Sequence, residues 1–167
     1  PVWSPTEPGR YRRFEATALV GSGEAVWERA SRDVLTWVVK TRSGFRVADQ
    51  RRVTPGAELT ITVGALGVRI KEPVRVSRVV DTATRVGFSY RTRKGHPVDG
   101  EEAFIVHRVG NDVFFTLRSL TAPAAEQPWR ALHPLLRAAQ VVVRRRYLRA
   151  LIRRASGAPV FSWQPVL

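Results

Sequence analysis

Four residues that could do proton chemistry stand close together in Gly95-His96-Pro97-Val98-Asp99-Gly100-Glu101-Glu102. A histidine titrates near neutrality, and a neighbouring carboxylate tunes it, so His96 with Glu102 has the composition of a general acid/base pair. A carboxylate turned inward among apolar groups would have a raised pKa and could also act as an acid. A structural brace accounts for the same residues. Gly95 and Gly100 would supply unusual backbone angles, and the glutamates would bond loop amides or pair with Arg91. No nucleophile, nucleotide or cofactor motif accompanies the group. One histidine beside clustered carboxylates is too small a set for a typical zinc site, and His107 and His133 are remote, so neither metal nor cofactor is expected.

The elements that must position these residues are mostly strands. Residues 1–13 lack periodicity and read as an extended arm. A first strand is expected over 14–20, broken by Gly21-Ser22-Gly23, and then one helix to about Arg42. Ser22 can cap that helix and Glu24 suits its positive end. A phosphate cradle at the glycines is the weaker reading, because a P-loop needs more than three residues. Trp27, Ala30, Val34, Trp37 and Val38 form its apolar stripe, and Ser43-Gly44 stops it.

From Phe45 to Leu120 alternation of apolar and polar residues predicts about six antiparallel strands. Pro73 implies a bulge or an edge position. Gly110-Asn111 reads as a two-residue hairpin turn. Counting outward from it sets Val106 opposite Phe115, Phe104 opposite Leu117, and Glu102 opposite Ser119. Glu102 then points inward with Thr92 and Ser119, while Glu101 faces outward. The outer face carries Arg69, Arg75, Arg91, Arg93 and Arg118. A long helix follows, beginning near His133-Pro134 and ending near Ala155. Leu132, Leu136, Ala139, Val143, Tyr147 and Ala150 lie on one side of it, and 156–167 read as a tail.

This order predicts an α+β fold with domain limits of 14–155. A curved antiparallel sheet of six or seven strands wraps a long C-terminal helix, with one helix after the first strand. It resembles the helix-grip architecture of the START/SRPBCC-like superfamily. In such a fold the lining is aromatic: Trp37, Phe88, Tyr90, Phe104, Phe115 and Tyr147. Thr92, His96, Glu102 and Ser119 would add the polar contacts. The same aromatics could equally fill a closed core.

Charge is uneven. The net charge is +14, with 14 acids in all, none beyond Glu126. Arg144, Arg145, Arg149, Arg153 and Arg154 form a basic surface that could attract nucleic acid or an anionic membrane. Arginine as the default solubilising cation explains it too, since Lys40, Lys71 and Lys94 are the only lysines. The lack of cysteine removes disulfides, thiol catalysis and thiolate metal sites. No 18-residue apolar run and no signal-peptide pattern are visible, so a cytoplasmic location is expected.

The pair of motifs Gly95-His96-Pro97 and Gly100-Glu101-Glu102-Ala103-Phe104 resembles the signature of uncharacterised protein family UPF0548 (DUF1990 domain), found in bacteria and plants. Pro8-Gly9-Arg10-Tyr11-Arg12, Gly21-Ser22-Gly23-Glu24 with Trp27 and Ala30, Trp37, Gly87-Phe88-Ser89-Tyr90 and Arg145-Arg146-Tyr147-Leu148 extend the likeness from about Pro8 to Ile152. The family usually has small or apolar residues where Arg91, Arg93 and Lys94 stand. The resemblance implies boundaries rather than an activity. The residues themselves favour a protein that binds a small apolar or amphipathic ligand between sheet and helix. An enzyme using His96 and Glu102 on such a ligand, and a nucleic-acid or anionic-surface binder, are the alternatives.

Overall fold

Alternating apolar residues and two tight turns build most of the chain into one antiparallel sheet. The computed structural model describes residues 10–65, 68–125 and 128–152. Its strands are β1 (Arg12–Ser22), β2 (Phe45–Val47), β3 (Glu58–Ala65), β4 (Val68–Asp81), β5 (Arg85–Thr92), β6 (Val98–Val109) and β7 (Asp112–Pro123). The sheet order is β1-β7-β6-β5-β4-β3-β2, so β2 to β7 form a meander and β1 closes against its last strand. The sheet curls, and α3 (Trp129–Ala150) follows it at the C-terminus.

Gly110 takes φ 58° in the two-residue turn, where Val109 pairs with Asp112. The register downstream is the expected one: Val106 faces Phe115, Phe104 faces Leu117 and Glu102 faces Ser119. On the next strand Phe104 meets Phe88 and Glu102 meets Tyr90. Pro73 does not sit at a bulge. The bulge lies between Val76 and Arg78, and Pro73 stands one residue beyond the last β4–β5 pair, Val74 with Thr92.

The helices differ from expectation in four ways. The single helix after the first strand is two helices, α1 (Glu24–Leu35) and α2 (Val38–Arg42). They are separated at Trp37, which adopts a left-handed φ of 62°. Trp37 is buried and packs edge-on against Phe88, ring centroids 4.7 Å apart, so aromatic burial offsets the backbone penalty. Ser22 does not cap α1: it is the last residue of β1, bonded to Asp112 at 2.5 Å, and the cap position is Gly23.

α3 begins at Trp129, with Pro134 inside it rather than at its start. Its apolar stripe does not fill the concave face either. Of that stripe Tyr147 and Ala150 are buried, but Leu132 is 40% exposed, Ala139 is exposed, and Leu136 and Val143 are half-buried. The space that stripe would occupy is taken by Trp27, Ala30, Val34, Leu35 and Trp37, packed with Phe88, Phe104, Val106, Phe115 and Leu117. Among the described residues no helix is long and apolar enough to cross a membrane.

Candidate functional site

The tight turn after β5 is Arg93 to His96, closed by the His96 N–H on the Arg93 carbonyl at 3.0 Å, with Gly95 at φ 90°. Only the Gly-His-Pro half of the chemistry-bearing stretch is therefore loop; Asp99, Gly100, Glu101 and Glu102 belong to β6. A Cβ on Gly100 would lie 1.9 Å from the Leu120 carbonyl oxygen, which explains a glycine ahead of the two glutamates. Thr92 Oγ1 accepts the Gly100 N–H at 2.8 Å, so Thr92 ties β5 to β6 one step from Glu102. Asp99 is a brace, accepting from Tyr11 OH at 2.9 Å and from Arg10 at 3.1 Å. Glu101 faces the outer side, 3.8 Å from Arg91.

Glu102 points into the concave face and meets Lys40, which the sequence reading did not single out. Lys40 Nζ lies 3.2 Å from Glu102 Oε2 and donates to Tyr147 OH at 2.6 Å. Tyr90 OH donates to the same Glu102 oxygen. The amine sits within reach of four ring centroids, those of Phe45 (4.5 Å), Tyr147 (4.8 Å), Tyr90 (5.1 Å) and Phe104 (5.7 Å). Cation–π attraction adds to the ion pair in such a shell. Glu72 joins from β4, with Oε2 3.9 Å from Lys40 Nζ and 3.9 Å from His96 Nε2. His96 is buried, and its Nδ1 accepts the Val98 N–H at 3.1 Å. The imidazole proton then belongs on Nε2, facing Glu72.

Burial dominates the electrostatics. It pushes Glu72 up to about 7; Lys40 opposes the rise and Glu102 adds to it. Burial and then Lys40 push His96 down to about 4, so the ring is neutral at pH 7. Burial also works to raise Glu102, but Lys40, the Tyr90 and Lys40 hydrogen bonds and Arg144 outweigh it, and the carboxyl ends below the ordinary value. Tyr90 and Tyr147 are raised well above a free phenol, by burial first and by Glu102 next. The result is an ionised Glu102 on Lys40 beside a Glu72 that titrates near neutrality. Glu72 and Glu102 keep 15% and 21% of their side-chain surface exposed, whereas Lys40 keeps 3%. The cluster opens to solvent along its carboxylates.

The expected lining residues come together, but against one another. Phe88 and Phe104 stack at 5.4 Å, Phe104 and Tyr147 meet edge-on at 5.4 Å, and Phe104 and Phe115 lie 6.4 Å apart. With Trp37 and Tyr90 they are nearly or wholly buried. They form a packed core with a polar cluster at one end. A groove of about 370 Å³ lies elsewhere, on the outer side of α1 around Glu28, Arg29, Arg32 and Asp33. The expected basic surface also divides. Arg145 is exposed. Arg144 turns inward and donates to Ser119 Oγ at 2.8 Å. Arg153 and Arg154 lie outside the described residues. On the outer sheet Arg75, Arg91, Arg93 and Arg118 each meet a glutamate, which lowers the charge of that face. Among the described residues no three histidine or carboxylate groups gather as a metal site.

Lys40 and Glu72 carried signals of their own. In a chain that uses arginine almost throughout, a lysine directly after Val38-Val39 is unusual. Glu72 shares strand parity with Ile70, Val74 and Val76, the inward set.

Comparison with known proteins agrees with this architecture. A family model described as domain of unknown function DUF1990 matches residues 3–150. A UPF0548 protein of Deinococcus radiodurans is 34% identical over 170 residues, covering 93% of this chain and 80% of the relative. The crystal structure of a hypothetical protein from Helicobacter pylori is similar in fold, with a TM-score of 0.62 at 11% identity, over 87% of this chain and 89% of the other. A protein from Thermus thermophilus gives a TM-score of 0.54 at 14% identity, over 84% and 94%.

Proposed function

We propose that this chain, which belongs to the DUF1990 family, binds a small amphipathic ligand at the polar end of the concave face. The observation that carries the reading is the Lys40–Glu102–Glu72–His96 cluster, assembled from α2, β6, β4 and the β5–β6 turn within an aromatic core. Burying charged groups costs several kcal/mol each, and an apolar core of the same volume would be as stable or more so. Polar groups kept in such a place, with carboxylates reaching solvent, are suited to recognising the polar group of a ligand. The apolar part would lie under α3, where Leu136 and Val143 are only half-buried. The START-like helix-grip architecture supports a site between sheet and C-terminal helix. Native mass spectrometry of the purified protein tests this: a reproducible bound species of small-molecule mass is expected. An unliganded mass alone, with no thermal stabilisation by added medium-chain amphiphiles, would refute it.

One observation favours a catalytic variant of the same reading. Glu72, near 7, faces the Nε2 side of a neutral His96, so a proton could pass between a bound molecule and Glu72 at physiological pH. The acid/base pair would then be Glu72 with His96 rather than His96 with Glu102. Carboxyl ¹³C NMR should show a titration near pH 7 that disappears in Glu72→Gln; a Glu72 midpoint below 5 removes this variant.

A further inference from the structure

Arg144 departs from the rest of the arginine run. Its guanidinium carbon lies 4.1 Å from the centroid of the Phe14 ring, and one Nη donates to Ser119 Oγ at 2.8 Å. Arg145 and Arg146, its neighbours in sequence, are exposed. Among the described residues no carboxylate comes within 4 Å of Arg144. Glu102 attracts it from farther off, but the Oε2 of Glu102 already receives Tyr90 and Lys40. Arg12 repels it from the same strand that supplies Phe14. A guanidinium has five N–H donors in a fixed fork, and its best partner is a planar or tetrahedral oxyanion held by two of them. Here one donor meets a neutral hydroxyl and the flat face rests on an aromatic ring. That arrangement orients the fork and, among the described residues, leaves its charge without a close counterion.

We infer that Arg144, seated on Phe14 beside Ser119, receives an anionic head group, a carboxylate or a phosphate monoester, carried on an apolar chain that lies under α3. The inference rests on the ligand-binding reading above and gives the chemical class of that ligand. Several observations agree with it. Ser119 adds a hydroxyl at the same spot, and its strand partner on β1 is Phe14 itself. Arg12 adds positive charge nearby, and Glu102, the acid that acts on Arg144, is already paired with Lys40. Leu132, Leu136 and Val143 run from this point toward the start of α3 on a face that the sheet leaves partly open.

The test is calorimetric titration of decanoate, decyl phosphate, decanol and decylamine into the wild type and into Arg144→Gln, Arg144→Lys and Arg145→Gln. Salt near 0.15 M screens the long-range field of a +14 protein. The wild type should bind at least one anionic probe about tenfold or more tighter than decanol or decylamine, an ordinary value for charge-assisted hydrogen bonds. Which anion binds tighter decides between carboxylate and phosphate. Arg144→Gln should abolish the preference while decanol affinity stays within about twofold. Arg144→Lys should weaken it partly, because a point charge lacks the fork, and this variant decides the matter if the glutamine protein does not fold. Arg145→Gln should change nothing. An anion preference that survives in folded Arg144→Gln, or that falls equally in Arg145→Gln, overturns the assignment. So does equal or tighter binding of decanol or decylamine to the wild type, which would leave a ligand site standing without an anion subsite. Failure of all four probes to bind overturns the ligand-binding reading and this inference with it.

Discussion

Lys40 Nζ and Glu102 Oε2 stand 3.2 Å apart across 62 residues of sequence, inside a shell of aromatic rings. Each makes the other tolerable in an interior where a lone charge is costly. Replacing one partner strands the other, so Lys40→Met and Glu102→Gln should each destabilise the fold by about 3 kcal/mol, the lower end of the range for a broken buried pair because Glu102 keeps some solvent. The double variant should cost clearly less than the sum. Urea unfolding of the four proteins in a double-mutant cycle measures this, and additive losses would show that the pair is not coupled.

The pH dependence of stability should show two opposed contributions. Glu72 is raised from 4.5 to about 7, so the folded protein holds a proton that the unfolded chain has lost over that range, and stability falls as pH rises. His96 is lowered from 6.5 to about 4, so the unfolded chain holds the extra proton, and stability rises with pH. Each is worth up to ~3 kcal/mol over its own window. From about pH 4.5 to 6.5 they nearly cancel. Glu72→Gln should therefore leave a protein that gains stability from pH 4 to 6.5, and His96→Gln one that loses stability from pH 4.5 to 7. Chemical denaturation at half-unit pH steps reads the two slopes, and parallel pH profiles for both variants would contradict the assignment.

Close approach of backbones explains why glycine precedes the paired glutamates. A Cβ at Gly100 would meet the Leu120 carbonyl oxygen at 1.9 Å, and one at Gly87 the Phe104 oxygen at 2.2 Å, while at Gly64 it would meet nothing within 4 Å. Gly100→Ala and Gly87→Ala should each lower stability by about 3 kcal/mol, at the upper end for overpacking because the obstacle is main chain. Gly64→Ala should be within about 0.5 kcal/mol of neutral. Thermal denaturation of the three variants suffices, and a stable Gly100→Ala would mean that the β6–β7 contact is looser than described.

Legibility of the site followed the regularity of the elements. The Gly110-Asn111 turn anchors a strand register with period two, so Glu102, Phe104, Ser119 and Leu117 could be assigned to the concave face from the chain alone. The same parity placed Glu101 outside with Arg91. The unusual lysine at position 40 does not reveal its direction, because a helix continuous from Glu24 to Arg42 points residue 40 elsewhere than α2 does after the break at Trp37. Glu72 shares the inward parity, but Pro73 beside it makes the segment read as a bulge or an edge, where that parity is interrupted. Arg144 was assigned to the surface by its neighbours, and nothing local distinguishes it from Arg145; only the packing of Phe14 and Ser119 against α3 does.

The break at Trp37 also makes a prediction that a continuous helix would reverse. Within a helix, alanine is favoured over glycine by about 1 kcal/mol. In the left-handed region the order inverts, because a Cβ there costs about 1–2 kcal/mol and glycine has none. Trp37 has φ 62° at the break between α1 and α2, its side chain packs on Phe88 and Tyr90, and Lys40 of α2 reaches Glu102. Trp37→Ala and Trp37→Gly both lose that aromatic packing, so both should be destabilised by about 3–5 kcal/mol. The glycine variant should nonetheless be the more stable of the two by about 1 kcal/mol. Urea midpoints of the pair measure the difference directly, with the lost tryptophan common to both. If alanine is the more stable, residues 36–38 are helical in solution, and Lys40 reaches Glu102 by another route.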